Sequence, residues 1–367
     1  MKKELQVSHN ELLLSDKDHE KAANAINLIY IKDTSEGITR RKTGKKFTYL
    51  LNEKIIRDKK TIERIKKLVI PPAWSNVWIC KNPTGHIQAT GFDVRNRKQY
   101  IYHEQWKALR SETKFHRLYE FGKSLADIRK QVQKDIAKKD LTESKVLATL
   151  IAVMDTTYIR IGNAEYEKTN GSYGLTTLKD KHVTINGNTI RFSFKGKKGI
   201  DHDITIKNKR LAKTVKQCRD IPGKELFQYY DPDGNRKSID SGMVNNYIRQ
   251  CSGHDFSAKD FRTWAGSLIA LENLCAAEKS DSPTATKKTI NDILTEVSRL
   301  LGNTRSVCKK YYVHPTLLTL YEEGNLLPKT LKTTVAKKTQ AGYFNDNENV
   351  LMKILNQSVK AGYRPAA

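Results

Sequence analysis

The spacing of apolar residues changes once along the chain, near Trp106, and this change limits the possible folds more than any other feature. Before it, short runs alternate with period two. Val77–Cys80, His86–Thr90 and Gln99–Tyr102 read as strands, separated by Gly85, Gly91 and the polar Arg95-Asn96-Arg97. Phe47–Leu50 reads as a further strand, and residues 16–30 as a short helix leading into a strand-like Leu28–Ile31. Residues 60–69 have helical spacing and stop before Pro71-Pro72. After Trp106 the spacing becomes helical. Residues 107–139 carry alternating charges with spaced Leu and Ile, the pattern of solvated helices. Residues 143–155 and 289–301 each place their apolar residues on one face. One exception interrupts them: His182–Ile185 and Thr189–Phe194 flank Asn186-Gly187, a strong hairpin signal, and Asp203–Ile206 adds a third strand. Pro315 opens a helix that Gly324 ends, and Val350, Leu351, Ile354 and Leu355 mark a last amphipathic helix. The expected class is α+β. A small N-terminal antiparallel β-sheet domain (1–105) precedes a larger, mainly α-helical domain with an inserted three-stranded sheet (106–328). Residues 329–367 form a linker and the terminal helix.

Charge narrows the partners. Lys and Arg number 66 against 40 Asp and Glu, a formal net charge of +26. Such an excess lies on the surface and suits a polyanion. A generally basic, ribosome-associated protein fits the charge equally well. With 38% hydrophobic and 29% charged residues, the chain can bury real cores. Its five cysteines are scattered and form no C-x-x-C pair, which argues against a disulfide framework or zinc site and for a reducing compartment. No run of about 18 apolar residues suggests a membrane span, and the first residues do not fit a signal peptide. A cytoplasmic protein is expected.

No Walker-type loop, H-E-x-x-H or G-x-S-x-G is found, so nucleotide and metal chemistry are not expected. What stands out are basic residues at the ends of elements. Arg160, between Ile159 and Ile161-Gly162, needs an anionic partner; Asp155, Glu165 or Glu167 would be the ordinary one. Lys197, between Gly196 and Lys198-Gly199, follows the second hairpin strand and by itself reads as a solvated turn lysine. Arg262 lies in Lys259-Asp260-Phe261-Arg262-Thr263-Trp264 on a core-packed helix, with Asp260 or Glu272 as possible internal partners. Tyr312 lies in Cys308-Lys309-Lys310-Tyr311-Tyr312-Val313-His314-Pro315. A phenol with an ordinary pKa of about 10 needs positive charge nearby to act as a nucleophile.

Taken in order, these residues resemble the type IB DNA topoisomerases, in particular the compact bacterial and poxvirus branch. The resemblance rests on Ile70-Pro71-Pro72-Ala73-Trp74, Gln99–Tyr102, Tyr158–Asn163, Tyr173–Leu178, Phe194–Lys197, Lys259–Gly266 and Leu301–Cys308 running into Tyr312–Pro315. It implies the tyrosine recombinase/topoisomerase IB catalytic fold. It also implies relaxation of supercoiled duplex DNA through a transient 3′-phosphotyrosyl intermediate, without ATP or metal. Tyr312, rather than Tyr311, would be the nucleophile. Arg160 and Arg262 would clamp the phosphate oxygens, and Lys197 would protonate the departing 5′-oxygen. Asn303 stands where the poxvirus branch has histidine and the bacterial branch asparagine, which points to a bacterial-type enzyme.

The resemblance further implies DNA contacts by Gln99, Tyr100 and Tyr102, with the two tyrosines open to plain same-face packing instead. Arg40, Arg41 and Lys259 are candidate DNA-binding residues on charge. It implies that the two domains close on the duplex as a clamp, and that the partner is double-stranded DNA, with no cofactor, no nucleotide and no membrane. A monomer in a bacterial cytoplasm, associated with the nucleoid, is expected. A site-specific tyrosine recombinase is the first alternative; such enzymes usually carry histidine where this chain has Lys259. A non-catalytic basic nucleic-acid-binding protein is the second.

Overall fold

The computed structural model describes residues 18–44, 46–277, 282–326 and 343–360. Lys45, most of the expected 329–345 linker and the first 17 residues lie outside the described residues. By internal contacts the chain divides into two units, Met1–Arg117 and Leu118–Ala367.

The first unit is built on a six-stranded antiparallel sheet in the order β3-β2-β1-β4-β5-β6. The strands are β1 (Gly37–Thr43), β2 (Lys46–Leu51), β3 (Lys54–Ile55), β4 (Ser75–Cys80), β5 (Ile87–Phe92) and β6 (Lys98–Tyr102). The basic run at Arg40-Arg41-Lys42 is thus part of strand β1, where Arg40 pairs with Tyr49 and Arg41 with Thr48. Its cationic side chains hide the alternation that marks the other strands. Helix α2 (Lys59–Lys67) is capped by Asp58, whose carboxylate accepts from Thr61 N at 2.8 Å. It drops Ile65 into a core with Ile38, Val77, Ile79 and Ala89. A second small core joins helix α1 (His19–Ala25) to Leu28, Trp106 and Leu109. Leu28–Ile31 is not a sheet strand: Ile29 makes only an isolated bridge to Gly85.

A helix, α3 (Glu104–Ile136), fills the segment read as several solvated helices. Its charges made it look solvated, yet within the second unit Phe121, Leu125, Ile128 and Val132 are all buried. The second unit continues with α4 (Glu143–Thr157), α5 (Ala164–Asn170), β7 (Val183–Asn186), β8 (Thr189–Lys195) and β9 (Asp201–Lys207). β7, β8 and β9 form the expected three-stranded sheet, turning at Gly187 with φ +57°. There follow α6 (Lys209–Arg219), β10 (Gln228–Tyr230), β11 (Arg236–Ser238), α7 (Ser241–Ser252) and α8 (Ala258–Ala276). Then come α9 (Pro283–Leu301), α10 (Arg305–Tyr311), α11 (Pro315–Glu322) and α12 (Asp346–Lys360). The β10–β11 hairpin, three residues a strand, is too short to show a period in the sequence.

Helix α8 runs through the core, with Phe261, Trp264, Leu268, Ile269 and Leu271 buried. Helix α12 docks on it through one carboxylate. Glu348, 3% exposed, accepts from Trp264 Nε1 at 3.0 Å and from Arg129 at 2.8 Å and 3.0 Å. Arg129 also forks onto Asp155 at 2.8 Å and 3.2 Å. A buried charge cluster of this kind holds together only while every member is present. The expected fold class, an antiparallel sheet region followed by a helical domain with a small inserted sheet, is what the structure has.

Candidate active site

Four segments of the second unit bring Arg160, Arg262, Asn303 and Tyr312 together. Helix α4 stops at Tyr158, which turns left-handed at φ +59°. The chain then buries Ile159 and releases Arg160. The segment after α5 straps this corner down: Leu175 N donates to Arg160 O at 2.9 Å, and Thr176 N to Ile161 O at 2.7 Å. Fixed this way, the Arg160 guanidinium donates to Gly302 O at 2.9 Å. Arg262, one turn into α8 and 6% exposed, donates to Leu301 O at 2.6 Å and to Tyr158 O. Both arginines thus grip the end of α9, and Arg262 also grips the end of α4.

Neither guanidinium has a carboxylate partner among the described residues. Each ordinary partner is engaged elsewhere or exposed. Asp155 pairs with Arg129 and Glu167 with Lys179. Asp260 caps α8 by accepting from Ser257 N at 2.8 Å, Glu272 accepts from Asn347 at 3.0 Å, and Glu165 is exposed. Burial, then the neighbouring Arg262, pushes Arg160 down to about 10. Burial likewise lowers Arg262. Cys308 adds no negative charge, because burial pushes its thiol up to about 11. Two positive groups are therefore kept close in a poorly solvated corner, a cost that a bound anion would offset.

Tyr312 is carried here by α10. Its N–H closes the helix on Cys308 O at 2.9 Å, and its carbonyl accepts from the Ser267 hydroxyl at 3.2 Å. Gly266 lies under it; a Cβ there would stand 2.6 Å from Tyr312 O. The half-buried Tyr312 ring faces Arg262, whose guanidinium carbon is 5.3 Å from the ring centre. Tyr311, 42% exposed, lies on the outer side with Lys310 over its ring. Lys309 and Lys310 are exposed, so the buried charge beside Tyr312 comes from the arginines. Asn303 follows Gly302 at the C-cap of α9. Its Nδ2 and the Nε of Arg262 are buried donors with no partner among the described residues. Buried donors are rarely left open, and two at one site mark a place for an acceptor.

Lys197 is not gathered with these four. It occupies the exposed turn between β8 and β9, and its ammonium lies 5.7 Å from the ring centre of Tyr166 on α5. Lys259 is exposed at the start of α8. In the first unit, Tyr100 is 47% exposed, and its ring stacks on Tyr102 at 5.9 Å. Tyr102 also packs on the small core beneath, so same-face packing and exposure coexist on β6. Gln99 donates to Asp93 at 3.1 Å. Arg41 is exposed, whereas Arg40 donates to the carbonyls of Ile70, Pro71 and Trp74 at 3.3, 3.0 and 2.7 Å. Sequence reasoning missed Ser267 and His202. Ser267 is a plain helix residue in sequence. His202 alternates through a strand, and only the fold brings it beside Arg160 and Arg262.

Comparison with known proteins agrees with this geometry. A family model described as the catalytic core of eukaryotic DNA topoisomerase I matches residues 103–338. A second, described as the N-terminal domain of bacterial DNA topoisomerase IB, matches residues 46–93. The DNA topoisomerase 1B of Acanthamoeba polyphaga mimivirus is 36% identical over 303 residues, covering 80% of this chain and 90% of that protein. The DNA topoisomerase 1B of vaccinia virus is 30% identical over 250 residues, covering 66% of this chain and 75% of its own length. The DNA topoisomerase 1 of Schizosaccharomyces pombe is 25% identical over 226 residues, 60% of this chain and 27% of that protein. A tyrosine held against two uncompensated guanidiniums, in a chain so matched along both its units, places the protein in the type IB DNA topoisomerase family.

Proposed function

We propose that this enzyme relaxes supercoiled duplex DNA by using Tyr312 to cut and reseal one strand. The observation that carries the reading is the pair of carboxylate-free guanidiniums beside that phenol, Arg262 buried and Arg160 half-buried, with two donors left open. A phosphodiester would supply the missing acceptor. Tyr312 attacks the phosphorus and gives up its proton to solvent water; the bond to the 5′-oxygen breaks, and that oxygen takes a proton from Lys197. The phosphate becomes linked to the tyrosine on its 3′ side. Arg160 and Arg262 offset the negative charge that builds on the non-bridging oxygens. Asn303 donates its amide N–H to one of them without adding charge.

Lys197 acts as the general acid on the leaving 5′-oxygen. For this its turn moves from Tyr166 toward the phosphate once DNA is present. Resealing reverses each step. The ester conserves the bond energy, so no ATP is consumed, and the arginines do the work assigned to metal ions in many phosphoryl transfers. The exposed Tyr100, Arg41 and Lys259, with Tyr102 and Gln99, lie along the duplex, while Arg40 braces the turn beside it. The four clustered groups come from one chain, which favours action as a monomer. Five free cysteines suit a reducing cytoplasm, where the bacterial nucleoid is the substrate.

The test is plasmid relaxation in EDTA without nucleotide. Wild-type protein relaxes the plasmid completely. Tyr312→Phe retards DNA on a gel yet relaxes none of it. Normal relaxation by Tyr312→Phe would remove Tyr312 as the nucleophile.

A further inference from the structure

His202 lies at the joint between the Lys197 turn and the arginine corner. It is the second residue of β9, opposite Phe194 of β8, and its imidazole stacks on the Phe194 ring at 5.0 Å and 17°. The Cδ2–Nε2 edge of the imidazole covers Gly196, the residue before Lys197. A Cβ on Gly196 would stand 2.6 Å from both His202 Cδ2 and Nε2. The Nε2 end of the same ring, with Cε1, also reaches Gly302, whose carbonyl accepts from Arg160. A Cβ on Gly302 would stand 3.0 Å from His202 Cε1 and 3.4 Å from an Arg160 guanidinium nitrogen. One flat ring therefore fills the space between two glycines, one bound to the lysine turn and the other to the arginine.

Its charge state suits the position. Arg160 and Arg262 face it from the arginine corner, and Asp201 precedes it on its own strand. Burial first, then the two arginines, hold its pKa below the ordinary value. A neutral ring can sit beside the guanidiniums where a cation would be repelled.

We propose that His202 is a positioning residue for the general acid: its ring, wedged between Gly196 and Gly302, sets where the Lys197 turn can place its ammonium relative to Arg160. The inference rests on the reading of Lys197 as the acid that protonates the 5′-oxygen. The backbone of Gly196, at φ −90° and ψ −164°, is open to alanine. Only the His202 ring stands in the way of a methyl there.

The experiment measures single-turnover cleavage of two duplexes, one ordinary and one with sulfur bridging at the 5′ position. A sulfur leaving group needs no proton, so a defect confined to proton delivery vanishes on it. His202→Ala should slow cleavage of the ordinary duplex by about 10- to 100-fold, the scale of a misplaced catalytic group, and leave the sulfur duplex within about threefold. Gly196→Ala should show the same selectivity by pushing the ring aside. The double variant should be no slower than His202→Ala alone, because both changes act through one contact. Equal slowing on both duplexes, no slowing at all, or multiplying effects in the double variant would overturn the proposal. Lys197→Ala serves as the reference. If it slows both duplexes alike, the general-acid reading itself falls, and the role of His202 falls with it.

Discussion

Two guanidiniums without a carboxylate partner among the described residues are costly to bury, and in the proposed mechanism that cost is tied to their use. Arg262 satisfies Leu301 O and Tyr158 O and still leaves its Nε open. Arg160 is less deeply buried, and its pKa of about 10 lies below the ordinary arginine value. The sign of this shift fixes a pH limit. A lowered base keeps its charge below its folded pKa and loses it above. A phosphodiester bound against the guanidinium opposes this shift, so wild-type relaxation keeps the Arg160 charge through pH 9. Lysine starts from a lower ordinary pKa, near 10.4, and meets the same burial and the same neighbour. Arg160→Lys should therefore move the alkaline limit of relaxation to lower pH and slow the reaction at every pH, since one ammonium cannot replace a planar fork. A pH profile of single-turnover cleavage checks this; an unmoved limit would show that Arg160 does not set it. The identities of Arg160, Arg262, Asn303 and Tyr312 were legible as an ordered set of sequence contexts. Their juxtaposition was not, because it depends on backbone carbonyls at Tyr158, Leu301 and Gly302 that no side-chain pattern encodes.

At the scale of elements, the site depends on how close α8 approaches the tyrosine segment. Gly266 makes that approach possible, with Tyr312 O only 2.6 Å from where a methyl would lie. Gly266→Ala should displace Tyr312, slow cleavage by about 100-fold and leave DNA binding intact. Near-normal cleavage would mean that the approach is not needed. On its far side α8 is held by α12. Glu348→Ala leaves Arg129 short of one carboxylate and Trp264 Nε1 without its acceptor. Breaking such a buried pair from one side costs about 3–5 kcal/mol. Urea unfolding followed by tryptophan fluorescence should show a loss of that size; a loss below about 1 kcal/mol would mark Glu348 as peripheral. The sequence revealed the apolar faces of α4, α9 and α12, and the β7–β8 hairpin through Asn186-Gly187. It hid β1, whose exposed arginines and lysines mask its alternation, and it disguised α3, whose buried stripe of Phe121, Leu125 and Ile128 is diluted by charge. Short pairings such as β10 with β11 are too brief to leave a period in the sequence.

For the whole molecule, the net charge of +26 supplies affinity for a polyanion without choosing the chemistry. In the proposed mechanism the choice is made by five side chains, of which one phenol forms the bond. Three features of the proposed cycle belong to this scale: the phosphate stays on the protein, the energy stays in the ester, and the duplex turns while one strand is open. All three require the same covalent intermediate. The most direct measurement is to stop a relaxation reaction with detergent, digest the DNA and the protein, and map the modified peptide by mass spectrometry. The account predicts a nucleotide joined through its 3′-phosphate to Tyr312, in the peptide that also contains Tyr311. A 5′-phosphate linkage, or a nucleotide on Tyr311, would contradict it.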